Sequence, residues 1–152
     1  MSNRMKAPPE TVSVVEEIPF VGHPLVRAMH GRTIEITTED HLTLQGDCII
    51  GVRAAKGISQ LSPAIKRALK SDEARVRFTI VAPGGEYSFS ARGSKDLSFE
   101  SPTDMVIRMS EFVCGRTLAI RADSSAREIP RGLVGSLKSP EAAGLLRIEV
   151  LV

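Results

Sequence analysis

Aromatic side chains are scarce in this sequence, which has no tryptophan, one tyrosine and five phenylalanines in 152 residues. Phe78, Tyr87 and Phe89 stand in alternating segments and are expected to face a core. Proteins that bind single-stranded nucleic acid stack bases on exposed aromatic rings, which supply much of the affinity. The shortage therefore weakens, without removing, an interpretation as a single-strand binding protein.

Cysteine is rare as well, with only Cys48 and Cys114. The two form no C-x-x-C pair, and both have apolar neighbours, where a reduced cysteine behaves as a small hydrophobe. A nucleophilic Cys48 would need a cation or imidazole to stabilise its thiolate, whereas Cys48-Ile49-Ile50 predicts a setting that raises the thiol pKa. The sequence therefore supports neither a disulfide nor a cysteine-based metal site.

Long apolar runs and common catalytic signatures are missing too. No segment approaches the roughly 18 apolar residues of a membrane helix, and the N-terminus lacks the apolar core of a signal peptide. We therefore expect a soluble, cytoplasmic protein with no membrane partner. The P-loop, the dinucleotide-binding glycine pattern, H-E-x-x-H and G-x-S-x-G are all absent, so the signatures of common ATPases, dehydrogenases, zinc proteases and hydrolases are excluded.

The segments that remain favour strands. From Thr11 onward apolar residues recur at every second position, as in strands with one buried face. There is no regular alternation of strands with helices, no linker and no internal repeat that we detect. The pattern predicts a mainly β (β-rich α+β) protein, an antiparallel two-sheet sandwich or flattened barrel with two short helices. Residues 1–10 are expected to form a disordered tail, and residues 11–152 a single domain.

Individual segments give sharper expectations. Val76 to Ala91, interrupted by Pro83-Gly84-Gly85, predicts a hairpin. Ser62-Pro63 predicts a helix start, and a second helix is expected within 125–138, begun either by the capping box of Ser125 and Glu128 or again after Pro130. Three further predictions are a long strand in Val26–Thr38, with a short helix from Pro24 to Gly31 as its alternative; a central, doubly covered strand in Asp47–Ala54; and a strand at the C-terminus.

Four side chains between positions 23 and 47 are candidates for chemistry. His23 and His30 suit proton transfer or metal binding, and Asp47 or Glu35 would serve as base or further ligand. Each has a structural alternative: a turn residue for His23, a hydrogen-bonded core residue for His30, a loop cap for Asp47 and solvent exposure for Glu35. The candidate catalytic residues are therefore His23, His30, Glu35 and Asp47, and the candidate metal ligands are His23, His30 and Asp47.

Arginine dominates the basic residues, although the formal net charge is only +2. Five arginines lie between positions 108 and 131 against three acids. If several shared a face, their planar guanidinium groups would suit phosphate or carboxylate groups. The candidate ligand-binding residues are Arg108, Arg116 and Arg131; the alternative is pairing with the interleaved acids.

One segment resembles a known family. GHPLVRAMHGRTIEITTEDHLTLQGDCIIGV contains His-Pro, a second His, Thr-x-Glu-x-Thr and Gly-Asp-Cys-Ile-Ile-Gly-Val in order, and the likeness continues through MVIRMSEFVCGRTLAIRAD and Pro130-Arg131. It is similar to the archaeal domain-of-unknown-function family 371, whose pattern commonly has Asn and Thr where this chain has Leu25 and Met29. The resemblance implies an archaeal cytoplasmic origin and a β-rich sandwich-like fold, but no established activity or cofactor. The motif positions carried over, without roles, are His23, His30, Thr33, Glu35, Asp47, Arg108 and Arg116.

Three hypotheses follow. The first is a binding module for an anionic ligand, such as a nucleotide, RNA or phosphorylated metabolite, through the arginines. The second is a small hydrolase or metal-assisted enzyme using His23 and His30 with Asp47 or Glu35. The third is an oligomeric or complex subunit, for instance a homo-oligomer, without chemistry of its own. The sequence assigns no cofactor.

Overall fold

The computed structural model of the protein describes residues 12–42 and 45–151 as two four-stranded sheets around one continuous hydrophobic core. The mainly β prediction is confirmed, and the two sheets are not closed into a barrel. The predicted tail at residues 1–10 lies outside the described residues. The elements are β1 (Val12–Val21), β2 (Thr33–Thr37), β3 (Ile49–Gly51), α1 (Pro63–Leu69), β4 (Arg75–Ala82), β5 (Gly85–Arg92), β6 (Asp104–Arg108), β7 (Thr117–Ala119), α2 (Arg131–Ser136) and β8 (Ala143–Leu151).

The first sheet is antiparallel throughout, in the order β1-β8-β4-β5. The predicted hairpin is confirmed as β4 and β5, and the predicted C-terminal strand is β8, which lies inside the sheet between β1 and β4. Buried Leu146, Ile148 and Val150 alternate along β8 with half-exposed residues. One face of this sheet therefore enters the core, as a period-two pattern requires.

The second sheet has the order β3-β2-β6-β7, with an antiparallel pair, β2 and β6, at its centre and parallel pairs at both margins. The predicted central strand in residues 47–54 is therefore wrong in position, because β3 has three residues and lies at the margin. The apolar run continues past β3 because Val52, the next residue, forms an isolated bridge to Val21 of the first sheet. Arg92 and Ile120 form the matching bridge between β5 and β7.

The long strand predicted in Val26–Thr38 is also wrong, as is its helical alternative. Only Thr33–Thr37 is a strand, and residues 22–32 cross between the sheets as an irregular loop. Val26 and Ala28 are fully buried, which produced the misleading alternation, but Ala28 has a φ of 51° and interrupts any regular element. An irregular loop with two inward side chains thus imitates a strand.

Both helices begin with the predicted signals. Ser62 Oγ accepts the N–H of Ile65 at the start of α1, and Pro63 takes the first position. The Ser125–Glu128 capping box is present, but it caps a short 3₁₀ turn at Ala126–Glu128, after which α2 begins at Arg131. The two alternatives weighed for this segment therefore both occur. Among the described residues no helix is long and apolar enough to cross a membrane.

The chain contains an internal structural repeat, which corrects the expectation that there is none. Each half runs through three strands, a 3₁₀ turn, a short helix and a final strand, so that β1, β2, β3, α1 and β4 correspond to β5, β6, β7, α2 and β8. The backbone details agree as well: the non-glycine residues with left-handed φ values pair up as Ala28 with Phe99 and Arg53 with Arg121. Equivalent positions lie 71 residues apart before the β2–β3 and β6–β7 connections and 68 apart after them, as Ala28 to Phe99 and Arg53 to Arg121 illustrate.

The hydrogen bonds between the halves repeat in the same way. The N–H of His23 donates to the Leu137 carbonyl at the end of α2, and the N–H of Ser94 donates to the Leu69 carbonyl at the end of α1. Lys138 Nζ donates to the Val26 carbonyl at 2.7 Å, and Lys70 Nζ donates to the Leu97 carbonyl at 2.6 Å. The sequence signal that marks this repeat is Leu-Lys-Ser-x-Glu-Ala, present at 69–74 and at 137–142. Each helix end is thus completed by the opposite half.

An approximate two-fold axis relates the halves and passes through both sheets. In the first sheet Thr79 pairs with its own equivalent, Arg147, and in the second Glu35 pairs with its equivalent, Val106. Because strands of the two halves alternate across the first sheet, neither half completes that sheet alone.

The Phe20 side chain packs where β1 meets the second sheet. Its ring lies over Gly144 of β8, directly opposite in the ladder, and over Gly51 of β3. A Cβ at Gly144 would come within 2.3 Å of the ring, and one at Gly51 within 2.0 Å. Both glycines are therefore required by packing, and the ring covers the backbone that they leave exposed.

We predict that Gly144→Ala destabilises the protein by about 1–3 kcal/mol, because the new methyl group overpacks against Phe20. Gly132→Ala in α2, where a Cβ meets nothing within 4 Å, is the control and is expected to be neutral or stabilising. Urea midpoints measure both. In a Phe20→Leu background the cost of Gly144→Ala should fall; an equal cost in both backgrounds would contradict the assigned contact.

Candidate functional site

A partly buried polar cluster of Glu35, Cys48, Asp104 and Arg116, called the axial cluster below, lies on the outer face of the second sheet, where the axis passes. Glu35 is 5% exposed, so its predicted alternative, a side chain exposed to solvent, is wrong. Cys48 Sγ donates to Glu35 Oε1 at 3.2 Å, and Arg116 Nη1 lies 3.6 Å from Glu35 Oε2. The same Nη1 lies 3.5 Å from Asp104 Oδ2. Residues that flank the β2–β3 and β6–β7 connections thus cover a face that the strand pattern alone assigns to solvent.

Burial decides the protonation behaviour of this cluster. It raises the pKa of Glu35 above its ordinary value, although the bond from Cys48 and the charge of Arg116 oppose that shift. Burial also lowers the pKa of Arg116, but attraction to Glu35 and Asp104 outweighs it and the pKa of Arg116 is raised. The guanidinium is thus well paired, while its attraction does not fully offset the desolvation of the Glu35 carboxylate.

The two cysteines differ sharply. Burial, followed by the proximity of Glu35, raises the pKa of Cys48 to about 12, which agrees with the inert thiol expected from the sequence. Burial acts on Cys114 in the same direction, but hydrogen bonds from the Arg116 backbone, the Thr117 hydroxyl and Arg108 leave the pKa of Cys114 below its usual value. A lowered pKa is the main requirement for a reactive thiol.

Arg108 is held beside Cys114. Its Nε donates to Thr117 Oγ1 at 2.9 Å, its Nη2 donates to Cys114 Sγ at 3.3 Å, and its guanidinium lies 5.0 Å from the ring centre of Phe112. Sequence reasoning treated Cys114 only as apolar. The β6–β7 ladder pairs Thr117 with Val106, two residues before Arg108, so the contact between Arg108 and Cys114 depends on a strand order that the sequence does not reveal.

The two candidate histidines, His23 and His30, accept backbone N–H groups in turns. His30 Nδ1 accepts the N–H groups of Arg32 and Thr33, each at 3.2 Å, at the start of β2. In the other half Ser101 Oγ performs the same task, accepting the equivalent N–H groups of residues 103 and 104. His30 is exposed, so its predicted alternative as a core residue is wrong.

His23 likewise has a serine, Ser94, at its equivalent position in the second half. Its Nδ1 accepts the N–H of Leu25 at 3.0 Å, as Ser94 Oγ accepts the N–H of Asp96 at 3.1 Å in the second half. The turn interpretation of His23 is therefore supported by direct contact. Serine in the equivalent positions indicates that both imidazoles have a structural use that needs only a hydrogen-bond acceptor.

Asp47 contributes more through its backbone than through its carboxylate. Its carbonyl accepts the N–H groups of Met29 and His30, so Asp47 and His30 meet, but through main-chain atoms. Asp47 Oδ1 is buried without a hydrogen bond among the described residues and lies 3.6 Å from Arg27 Nη1. The described residues include no group of three His, Cys, Asp or Glu side chains able to hold a metal ion. The candidate ligands His23, His30 and Asp47 thus do not form a ligand set.

A cationic depression of about 400 Å³ lies between the 22–32 loop and α2. Three basic side chains line it, and among the described residues no carboxylate does. Its lining residues are Arg27, Met29, Arg131, Val134, Gly135 and Lys138. Sequence reasoning missed Arg27 and Lys138, because they are 111 residues apart in the chain and meet through the interlocking halves.

Arg131 holds together the two segments that line this depression, the 22–32 loop and α2. Its Nη1 donates to the carbonyls of Arg27 and Ala28, and its Nη2 donates to those of Ala126, Arg127 and Ile129, at 2.8 to 3.3 Å. Its Nε also donates to the Ile129 carbonyl. All three nitrogens are thus engaged by neutral acceptors, so Arg131 supplies positive charge and holds the loop against α2.

The three predicted ligand arginines do not act together. Arg116 is paired with Glu35 and Asp104, Arg108 contacts Thr117 and Cys114, and Arg131 fastens the 22–32 loop. Arg116 thus pairs with acids, but with Glu35 and Asp104 and not with the interleaved acids that the alternative named. Of the three arginines, Arg131 is the one in the lining of the cationic depression.

Comparisons with known proteins confirm the family that the sequence resembles. The profile of the family described as "Domain of unknown function (DUF371)" matches residues 18–151. An uncharacterized protein of Methanocaldococcus jannaschii is 43% identical over 117 residues, which cover 77% of this chain and 86% of that protein.

We predict that His30→Ser retains the stability of the protein, because serine supplies the same acceptor as Ser101. His30→Ala leaves two N–H groups without that acceptor and should cost about 1 kcal/mol. Thermal or urea unfolding of the two variants measures the difference. Equal losses for serine and alanine would show that the imidazole ring itself is needed.

Thiol labelling should separate the two cysteines. Cys114 is expected to react with an alkylating reagent at a pH below that of an ordinary thiol, because its pKa is lowered, while Cys48 stays unreactive in the folded protein up to about pH 9, since its pKa is about 12. Arg108→Gln should shift the Cys114 rate profile to higher pH. Cys48→Ser should leave the fast phase intact, and its loss in that variant would contradict the assignment.

Proposed function

Because the chain belongs to DUF371, a domain family of unknown function, we propose a function from its own geometry: a binding module for an anionic ligand. The site is the cationic depression, and the ligand is a small molecule with a phosphate group, such as a nucleotide or phosphorylated metabolite. The observation that carries this proposal is the convergence of Arg27, Arg131 and Lys138 on one depression without a carboxylate in its described lining. Cations collected in this way lower the energy of a bound anion.

Two of the three cations have N–H groups that are not used in hydrogen bonds within the described residues. Arg27 forms an ion pair with Asp47, in which Nη1 lies 3.6 Å from Oδ1, but this distance is too long for a hydrogen bond, so the N–H groups of Arg27 can donate to an anion. Lys138 uses one N–H on the Val26 carbonyl and keeps two. Arg131 has its nitrogens engaged, and its part is to position the 22–32 loop. We therefore assign the contacts with the anion to Arg27 and Lys138.

Comparison of the two halves supports a role beyond folding. Lys138 has a counterpart in Lys70, which makes the same bond to a loop carbonyl. The positions equivalent to Arg27, Met29 and Arg131 are instead Ser98, Glu100 and Pro63. The fold therefore tolerates serine and glutamate in place of Arg27 and Met29, so the charge of Arg27 is not a requirement of the backbone, whereas Arg131 also holds the 22–32 loop in place.

The charge balance points the same way. Segments 23–32 and 127–138 carry five cations and one acid, a net charge of +4. The equivalent segments, 94–103 and 59–70, carry four cations and two acids, a net charge of +2. One face is thus more cationic than its structural counterpart.

A small ligand fits these features better than RNA. Met29 and Val134 give the depression an apolar wall, which suits the organic part of a metabolite. Phe112 is the strongly exposed aromatic among the described residues, and it stacks on Arg108 outside the depression's lining. A surface for single-stranded RNA would gain most from exposed rings beside the cations. RNA binding is therefore treated as a competing outcome.

The other two hypotheses gain less support. The enzymatic one relies on His23 and His30, whose Nδ1 atoms are engaged by backbone N–H groups. The subunit hypothesis has no specific surface to favour it. A cytoplasmic location stays a prediction.

Isothermal titration at low ionic strength tests the proposal, with inorganic phosphate, pyrophosphate and AMP as probes. We expect binding that weakens with added salt, because the contacts are partly exposed charges. Arg27→Gln and Lys138→Gln should each reduce affinity about tenfold or more, since a hydrogen bond to a charged group contributes about 1.5–3 kcal/mol.

Arg67→Gln is the matched control. It removes one positive charge from α1 at the position equivalent to Gly135, outside the depression, and should leave affinity within about twofold. Absence of binding by all three probes would overturn the proposal. Binding of a single-stranded RNA oligonucleotide without binding of the small probes would replace it with a nucleic-acid surface.

A further inference from the structure

A second cavity, of about 370 Å³, lies where β5 meets β7 and shares no residue with the cationic depression. Arg92, Asp72 and Asp96 are among the charged residues that line it. Ser94, Glu111 and Arg121 complete the polar part of its lining. A pocket of this size is within the range of small-molecule sites.

Arg121 and Glu111 have a structural role in this cavity. Arg121 Nη2 lies 2.6 Å from Glu111 Oε2, and the equivalent residues of the first half, Arg53 and Asp40, form the same ion pair at 3.9 Å. Both arginines have left-handed φ values directly after the bridge residue. This ion pair thus belongs to the repeated framework and is neutral as a unit.

Arg92 and Asp96, in contrast, have no side-chain partner within the described part of the chain. No hydrogen bond or ion pair of either side chain occurs there, and the two are too far apart to pair with each other although they line one cavity. Asp72 Oδ1 accepts the N–H of Lys95, which leaves Oδ2 for another donor. Three charged groups therefore face a common space without neutralising one another.

The first half shows what the fold requires at these places. The positions equivalent to Arg92, Asp96 and Asp72 are Val21, Leu25 and Pro140. The bridge from Val21 to Val52 repeats the bridge from Arg92 to Ile120, so an apolar residue supports the same backbone. The three charges are thus an addition in one half, not a condition of folding.

We infer that this cavity binds a small amino acid with a second cationic group, such as a diamino acid. The free guanidinium of Arg92 takes the carboxylate, and the carboxylates of Asp96 and Asp72 take the two ammonium groups. One cation and two anions on the protein are complementary to one anion and two cations on the ligand. The Ser94 hydroxyl and the neutral Arg121–Glu111 pair form the polar remainder of the lining.

The test is a titration of the full chain with L-lysine and L-arginine, followed by two-dimensional NMR or calorimetry. We expect a Kd of about 1 mM or tighter for at least one of them. L-Norleucine, which has the same carbon chain as lysine and lacks the second cation, should bind at least about tenfold more weakly, in line with the loss of one charged hydrogen bond.

Substitution by the residues of the other half provides variants that should fold. Arg92→Val and Asp96→Leu are each expected to weaken binding about tenfold or more while shifting the Tm little, because Val21 and Leu25 serve the same backbone. Arg27→Gln, in the cationic depression, should leave lysine binding unchanged, so this inference and the proposed function fail separately.

Three results would overturn the inference. One is the absence of binding by lysine and arginine at about 10 mM. Another is equal affinity for lysine and norleucine, which would remove the second cation from the assignment. The third is unchanged binding in Arg92→Val.

Discussion

The antiparallel ladder between β4 and β8 holds the two halves of the chain together. It joins the last strand of each half at the centre of the first sheet, and the two-fold axis passes through its Thr79–Arg147 pair. With β8 held there, β1 gains its strand partner within the described residues, and each helix end receives N–H donors from the opposite half. Both proposed binding surfaces depend on this exchange. The cationic depression joins a loop of the first half to the helix of the second, and the other cavity joins Asp72 of the first half to Arg92 of the second.

Local chemistry predicted much of this fold. The alternation of Val76, Phe78 and Ile80 identified β4, and Ser62 with Pro63 identified the start of α1, because these signals act between near neighbours. What failed depended on distant contacts. Val26 and Ala28 imitate a strand because their loop is pressed into the core, and Glu35 is covered by residues from two connections.

The candidate site was predicted less well for the same reason. Arg108, Arg116 and Arg131 are close in sequence, but strand order places Arg116 in the axial cluster and Arg108 beside Cys114, while Arg131 begins α2. Arg27 and Lys138 share a depression only because the halves interlock. The repeated Leu-Lys-Ser-x-Glu-Ala segment was the sequence feature that could have revealed that arrangement.

The repeat also separates structural from functional residues without any second sequence. Where both halves use the same contact, as with Lys70 and Lys138 or the two arginine–carboxylate pairs, folding explains that contact. Serines in the places of His23 and His30 explain both imidazoles as turn acceptors. Where one half alone carries charge and the side chain makes no hydrogen bond within the described residues, as at Arg27 or at Arg92 and Asp96, folding gives no reason for it.

Backbone amide shifts during a pyrophosphate titration would show directly whether the first-half loop and α2 form the anion site. We expect shifts confined to residues 26–29 and 131–138, with the equivalent residues 97–100 and 63–70 unchanged. Equal shifts in both sets would mean that the asymmetry in charge has no function, and shifts centred on Arg108 and Arg116 would place the site at the axial cluster instead.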